Sequence, residues 1–135
     1  MNITGMPIYI DPSCWFDVLG FDLITIEANV VISANVFILV HDHSLSRARD
    51  ALAGKYVFPE IAIARGVRIK RNSFIGLGAI LMPGAEVGEN CIVGAGSVVR
   101  GKVQDGVIVS GNPARILGDT LEWGRAKLQK IGIKY

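Results

Sequence analysis

Residues 63–99 read IARGVRIKRNSFIGLGAILMPGAEVGENCIVGAGSVV, and the period of that stretch decides the fold. Ile63, Ile69, Ile75, Leu81, Val87, Val93 and Val99 are all aliphatic and all six residues apart. Four places after each stands a small or β-branched residue: Val67, Ser73, Ala79, Ala85, Cys91, Ser97 and Val103. Glycine fills many places between, as at Gly76, Gly84, Gly88 and Gly94. An amphipathic helix repeats at about 3.6 residues and a strand at about 2, so a strict six fits neither a helix nor one long strand. It fits an all-β rod of triangular section, each hexad being a short flat strand plus a corner. The inward aliphatics of successive coils then stack into one continuous core.

The pattern extends upstream of this stretch and breaks once. Ile26, Ile32 and Ile38 give three hexads in phase, with Val30 and Val36 in the accompanying slots. From His41 to Pro59 the period stops in a polar segment, HDHSLSRARDALAGKYVFP, long for a connection in a compact domain. Such a length implies a functional loop, here an excursion over about residues 42–60. Ile63 resumes the period one residue out of phase with Ile26, as an excursion and return would produce. The ladder is expected to run to about Val109. Residues 1–25, whose apolar pairs Ile8/Ile10 and Val18/Leu19 are broken by Gly5, Pro7, Pro12 and Gly20, read as irregular opening coils. After the turn Ser110-Gly111-Asn112-Pro113, Asp119 can cap a last helix with Glu122 three residues on, ending near Gly132. Leu121, Leu128 and Ile131 could dock that helix on the rod end or on a neighbouring chain. The expected organisation is one domain over 1–117 and a helical tail over 118–135.

Composition narrows the function. A chain of 135 residues, half hydrophobic but only 7% aromatic, suits a single domain cored by aliphatic ladders. Two cysteines, Cys14 and Cys91, give no disulfide framework, and Cys91 falls in a small-residue slot of the repeat, as a buried thiol would. No base precedes Arg47, so the positive region of a secretory signal is missing, and no apolar run reaches membrane-spanning length. The expected location is the cytoplasm, with no membrane insertion. Net charge is only +2, but all fourteen bases lie at or after Arg47. A mildly basic half suits an anionic ligand. Arg65, Arg68, Lys70 and Arg71 fall on non-core hexad positions, where solvated turns also carry charge. Aromatic residues do not interleave with the bases, which argues against nucleic acid.

Three segments carry a family resemblance: ITIEANVVISANVFILVHDHS (24–44), SFIGLGAILMPGAEVGENCIVGAGSVV (73–99) and VSGNPARIL (109–117). In this order they resemble the hexapeptide-repeat acyltransferases, and closely the galactoside, maltose and related sugar O-acetyltransferases. The resemblance implies a left-handed parallel β-helix with a protruding loop and a short C-terminal helix. It also implies a homotrimer with sites between chains, acetyl-CoA as donor and no metal. The left-handed sense comes from the resemblance alone, since general packing favours right-handed crossovers.

Moving an acetyl group from a thioester to a hydroxyl requires a base for the hydroxyl proton, and imidazole, with pKa about 6.5, serves near neutrality. The chain has two histidines, His41 and His43, flanking Asp42 where the ladder breaks. In the sugar acetyltransferases the catalytic histidine lies eight residues beyond the asparagine of an Asn-Val pair. Counted from Asn35-Val36 this gives His43, with His41 in reserve. A carboxylate orienting the imidazole is usual in such sites. By likeness to the family's acceptor-side aspartate it is assigned to Asp17, with Asp11 behind it. Phe74 falls where relatives carry an aromatic residue beside the site. On the donor side, Gly76-Leu77-Gly78 and Gly94-Ala95-Gly96-Ser97 offer bare backbone to an amide-rich arm. In the family the matching positions (Leu77, Gly78, Ala95, Gly96, Ser97) line the pantetheine, and an amide near Leu77 would stabilise the oxyanion. Arg115 matches a basic residue of the closing motif and could face the 3′-phosphate. Arg100 and Lys102 stand near another basic position of the family.

Three other readings compete. A zinc carbonic anhydrase on the same helix would need three histidines across a subunit interface, against two per chain here. A non-catalytic scaffold would need neither the His-Asp-His excursion nor the Gly-Ala-Gly-Ser run. Transfer to an amine, as in amino-sugar N-acetyltransferases, is left open by the sequence.

Overall fold

A computed structural model describes residues 1–135 throughout. The chain winds as a parallel β-helix with three faces. Face one stacks Asn2–Thr4, Ile24–Glu27, Val67–Ile69, Glu86–Val87 and Lys102–Val103; face two stacks Tyr9–Ile10, Val31–Ile32, Phe74–Ile75, Ile92–Val93 and Val107–Gly111. Face three stacks Trp15–Phe16, Phe37–Ile38, Ile80–Leu81 and Val98–Val99. The register follows the sequence period: Ile26, Ile69, Val87 and Val103 align on face one, and Ile32, Ile75, Val93 and Val109 on face two. On face three Ile38, Leu81 and Val99 align. All these side chains point inward and are buried, as are the small-residue slots from Val67 through Val103.

The corners show why the intervening residues are asparagine or glycine. Asn29, Asn35, Asn72 and Asn90 hold φ near +55 to +60°, and Gly78, Gly84 and Gly96 hold the same left-handed region. Only glycine, and next asparagine, enter it at low cost. Gly76 is glycine for a different reason. A Cβ there would lie 2.6 Å from both Val93 O and Ala95 N, so the stacked coils approach too closely for any side chain.

Four features differ from the sequence expectation. Ile63 is not a rung of the ladder: Ile63–Ala64 pairs antiparallel with His41–Asp42, closing the excursion at its base, and the stacked repeat begins at Val67. The polar excursion is not a plain loop but carries a helix, α1 (Ser44–Ala53), ended by Gly54 in the left-handed conformation. Its apolar residues are too few to betray it by period. Residues 1–16 form a regular first coil rather than an irregular one, parallel to the second through Ile3–Ile26, Ile10–Ile32 and Phe16–Ile38. A 3₁₀ segment, Val18–Leu23, breaks the hexad count between these coils and hides the regularity. Finally, Ala114–Asp119 folds back antiparallel on Val107–Gly111 before the last helix. That helix, α2 (Thr120–Lys130), is capped as expected, the Asp119 carboxylate accepting from the Glu122 amide at 2.8 Å. Neither helix is long and apolar enough to cross a membrane.

Candidate active site

The excursion leaves the rod at the corner between faces three and one, and its first residues are the histidine pair. Pairing with Ile63–Ala64 fixes the His41–Asp42 backbone, and His41 turns inward toward Asp17 of the previous coil. Asp17 has a relative exposure of 1%, yet it is fully satisfied. Its carboxylate accepts from the amides of Leu19 (3.2 Å) and Val40 (3.1 Å), and its Oδ2 meets His41 Nδ1. Burial pushes the Asp17 carboxyl upward, but those amides and the imidazole outweigh it and hold the carboxyl below its ordinary value. Facing an ionised carboxylate, His41 Nδ1 donates to Asp17, and its Nε2 is the ring nitrogen left without a partner. His43 follows as the N-cap residue of α1, exposed, with no side-chain capping bond. Its ring stands edge-to-face with that of His41, centroids 5.3 Å apart and planes at 83°. Asp42 between them is taken up locally: its carboxylate accepts from Ser44 N at 2.7 Å and Ser44 Oγ at 3.0 Å, which hold it below the usual carboxylate range.

The arm itself is strapped down. Buried Ser46 accepts from the Ile61 amide at 2.7 Å and donates to the Ile61 carbonyl at 3.3 Å. Asp50 receives the Val57 amide at 3.1 Å, and Arg47 reaches Glu60. The histidines therefore sit on an anchored turn.

The donor-side candidates lie on another edge of the rod. Leu77, Gly78, Ala95 and Gly96 form the corner between faces two and three, joined by Gly96 N donating to Leu77 O at 2.8 Å. The amides of Leu77 and Ala95 have no intrachain acceptor. At the equivalent places of the preceding corner, carboxylates take the amides: Glu27 that of Arg71 at 3.1 Å, and Asp105 that of Glu89 at 2.9 Å. The edge at Leu77 and Ala95 thus presents bare, unsatisfied donors and, at Gly78 and Gly96, no neighbouring atom that a Cβ would meet. Ser97 is buried beneath it, donating to Gly94 O at 2.7 Å and accepting from Gly111 N at 3.2 Å, which ties the corner to the chain leading to Arg115. Arg115 is exposed and has no carboxylate partner, its guanidinium reaching only the Ala114 carbonyl at 3.5 Å. Arg100 and Lys102 flank a groove of about 340 Å³ at the C-terminal end of the rod. Lys102 also stands beside Glu86 in the charged ladder of face one.

The remaining candidates do not join the histidines. Asp11 belongs to the corner between faces two and three, where its carboxylate accepts from Ser13 N, Ser13 Oγ and Tyr9 Oη at 2.9, 2.6 and 2.8 Å and is lowered by those bonds. Phe74 points outward from face two between Val31 and Ile92. Arg65, which the sequence places only among bases at non-core positions, is brought by the return of the excursion to a groove shared with Asp42 and Arg100. Nothing in the sequence separates it from the other three bases at non-core positions; in the structure it alone of the four lacks a carboxylate partner. Arg68, Lys70 and Arg71 pair with Glu27, Glu86 and Glu89.

A continuous stack of hexads with a strapped excursion and glycine-lined corners defines a class, and comparison with known proteins agrees. The family model described as bacterial transferase hexapeptide (six repeats) matches residues 66–101. A putative lipopolysaccharide biosynthesis O-acetyl transferase of Escherichia coli is 28% identical over 102 residues, 74% of this chain and 52% of its own length. The galactoside O-acetyltransferase of the same organism is 31% identical over 94 residues, 70% of this chain and 43% of its own. Among solved structures, serine acetyltransferase from Brucella abortus in complex with coenzyme A superposes with a TM-score of 0.55 at 27% identity, covering 79% of this chain and 38% of that one. Galactoside acetyltransferase in complex with coenzyme A superposes with a TM-score of 0.65 at 20% identity, over 91% and 67%. Residues 66–101 thus match the hexapeptide-repeat transferases, and the fold is the left-handed parallel β-helix. It spans about half the length of the curated relatives it matches.

Proposed function

We propose that the chain is an acetyl-CoA-dependent O-acetyltransferase that acetylates a hydroxyl of a sugar or related small acceptor. The observation that carries this reading is the buried Asp17 carboxylate on His41 Nδ1, with the exposed His43 ring against His41. Beyond its bonds to the Leu19 and Val40 amides, this desolvated carboxylate is aimed at an imidazole at the mouth of the excursion, an arrangement that clusters at functional sites.

His43 acts as the base. It is the outward ring, with no capping bond to relinquish, whereas His41 turns toward Asp17 and stands edge-to-face against the His43 ring. As the acceptor oxygen attacks the thioester carbon, His43 takes its proton, the C–S bond breaks, and the His43 imidazolium returns that proton to the departing CoA thiolate. The negative charge that develops on the thioester oxygen is met by the free amides near Leu77 and Ala95. Gly78, Gly96 and Ser97 leave room for the pantetheine, Arg115 faces the 3′-phosphate, and Lys102 adds positive charge, whereas Arg100 stands with Arg65 and Asp42 on the histidine side. Phe74 and the first coil belong to the acceptor side.

Base and oxyanion donors stand on opposite edges of face three. That face is about six residues wide, on the order of 15 Å, which is too far for one chain to close the site. A second copy must present its Leu77 corner to this chain's histidines, so we place the site between subunits of a three-fold ring.

His43→Ala is expected to lower kcat by about 10²–10⁴ with little change in CoA affinity, and His41→Ala to cost much less. The Asp17 contact supports a second assignment, in which His41 Nε2 is the base. It predicts the reverse order of the two variants. Full activity in both variants rules out the histidine mechanism. Steady-state kinetics with matched hydroxyl and amino sugars then separates O- from N-transfer.

A further inference from the structure

Beside the histidine pair, at the corner between faces three and one, lies a groove of about 260 Å³ lined by Asp42, Arg65, Met82, Pro83 and Arg100 among others. Its arginines, like Lys102 and Arg115, are unpaired bases. Neither Arg65 nor Arg100 has a carboxylate within salt-bridge distance, whereas Arg47, Arg49, Arg68, Lys70 and Arg71 all do. Arg65 is also built into the corner. Its amide donates to Val40 O at 2.8 Å and its carbonyl accepts from Gly84 N at 3.3 Å. Its aliphatic stem lies over Gly84, where a Cβ would stand 3.2 Å from Arg65 Cδ. Glycine at 84 thus serves two ends, the left-handed turn and the seat for this side chain. Asp42, the one acid in the groove, already has its carboxylate on Ser44 N and Oγ. Two unpaired guanidiniums, that of Arg65 on a seated stem, therefore line a groove with one carboxylate, Asp42, which is hydrogen-bonded to Ser44 and lowered also by Arg100, leaving net positive charge and unused donors.

We propose that Arg65 and Arg100 form an oxyanion notch that selects an acceptor carrying a phosphate or carboxylate, and holds that group while the acceptor hydroxyl reaches the histidines. The inference rests on the acetyltransferase reading above and names its substrate class. Position decides between the two sources of an oxyanion, acceptor and donor. The notch adjoins Asp42, between the two histidines, at the reacting end of the site. In acetyl-CoA the whole pantetheine arm separates the thioester from the nearest phosphate, so a donor bound for transfer puts its phosphates elsewhere. Planar guanidiniums suit phosphate and carboxylate through paired N–H donors.

Inorganic phosphate is the probe, because it does not presuppose the sugar. In a ¹H–¹⁵N titration of the whole protein with saturating CoA present, the Arg65 and Arg100 Nε–H signals should move saturably. Arg65→Gln and Arg100→Gln should each weaken phosphate binding by about ten-fold or more. In the transfer assay, phosphate should compete with the acceptor and not with acetyl-CoA. No saturable shift, or equal binding in both variants, overturns the notch. Competition against acetyl-CoA overturns the acceptor assignment and makes the notch part of the donor site. A protein that binds phosphate at these arginines yet transfers no acetyl group keeps the notch and discards the acetyltransferase reading. Turnover with no phosphate binding keeps that reading and discards the notch.

Discussion

Asp17 concentrates the residue-scale argument, because one buried carboxylate holds an imidazole, caps the 3₁₀ segment and receives the Val40 amide. Its carboxyl is held below the ordinary value in the folded chain and returns to about 3.9 when unfolded, so ionised Asp17 stabilises the fold. That stabilisation is complete above the unfolded value and is lost as pH falls through it toward the lower folded value. The expected outcome is an acid limb in the melting temperature below about pH 4, shallower in Asp17→Asn than in the wild type. A scan of melting temperature against pH checks it, and identical limbs would show that Asp17 is not the titrating group. Arg115 makes the complementary case for an exposed residue without a partner. If it faces the 3′-phosphate, Arg115→Ala should weaken CoA by about ten-fold or more while leaving dephospho-CoA nearly unaffected, since one charge-assisted contact is worth about 1.5–3 kcal/mol. Isothermal titration with both ligands decides, and an equal loss for the two would remove Arg115 from the phosphate.

The elements here are coils, and their tolerance depends on which kind of glycine they carry. A methyl at Gly76 would meet backbone of the next coil at 2.6 Å, and backbone in a hydrogen-bonded stack cannot step aside. Gly76→Ala should therefore cost about 1–3 kcal/mol, several degrees in melting temperature, by forcing two coils apart. Gly106 has φ +74° and nothing within reach of a Cβ, so only its backbone conformation matters. Gly106→Asn places there the residue that already holds the same conformation at Asn72 and Asn90, and should cost no more than about 1 kcal/mol. Thermal melts of the two variants check the ranking. The excursion obeys different rules: with few apolar contacts, α1 is held by Ser46, Asp50 and the Arg47–Glu60 pair rather than by a core.

For the whole molecule the faces are unequal. Face one carries the outward series Asn2, Thr25, Arg68, Glu86 and Lys102, laced by ion pairs. Face two shows Tyr9, Val31, Phe74, Ile92 and Ile108 outward, and face three Trp15, Phe37, Ile80 and Val98. Contiguous apolar stripes of this kind mark an interface. Two apolar faces per chain suit a closed ring, in which each subunit meets two neighbours. Light scattering at micromolar concentration should give three times the mass of the 14.5 kDa chain. A monomeric mass would remove both the ring and the shared site.

The sequence by itself determined what repeats. Inward aliphatics every six residues, small residues four places on, and asparagine or glycine at the turns are short-range requirements of one coil. They are met again in each coil, so they are written locally and can be read locally. The cap at Asp119 and the break at His41 belong to the same kind, a signal carried by adjacent residues. Tertiary structure decided what meets across coils. Asp17 reaches His41 over 24 positions only because the Val18–Leu23 segment sets the length of the first turn of the rod. Arg65 comes to Arg100 only because the excursion returns through an antiparallel pair rather than a ladder rung. Such meetings depend on how many residues lie between two corners, a sum over irregular segments that no local pattern records. A one-residue change in that sum turns a side chain to another side of the rod.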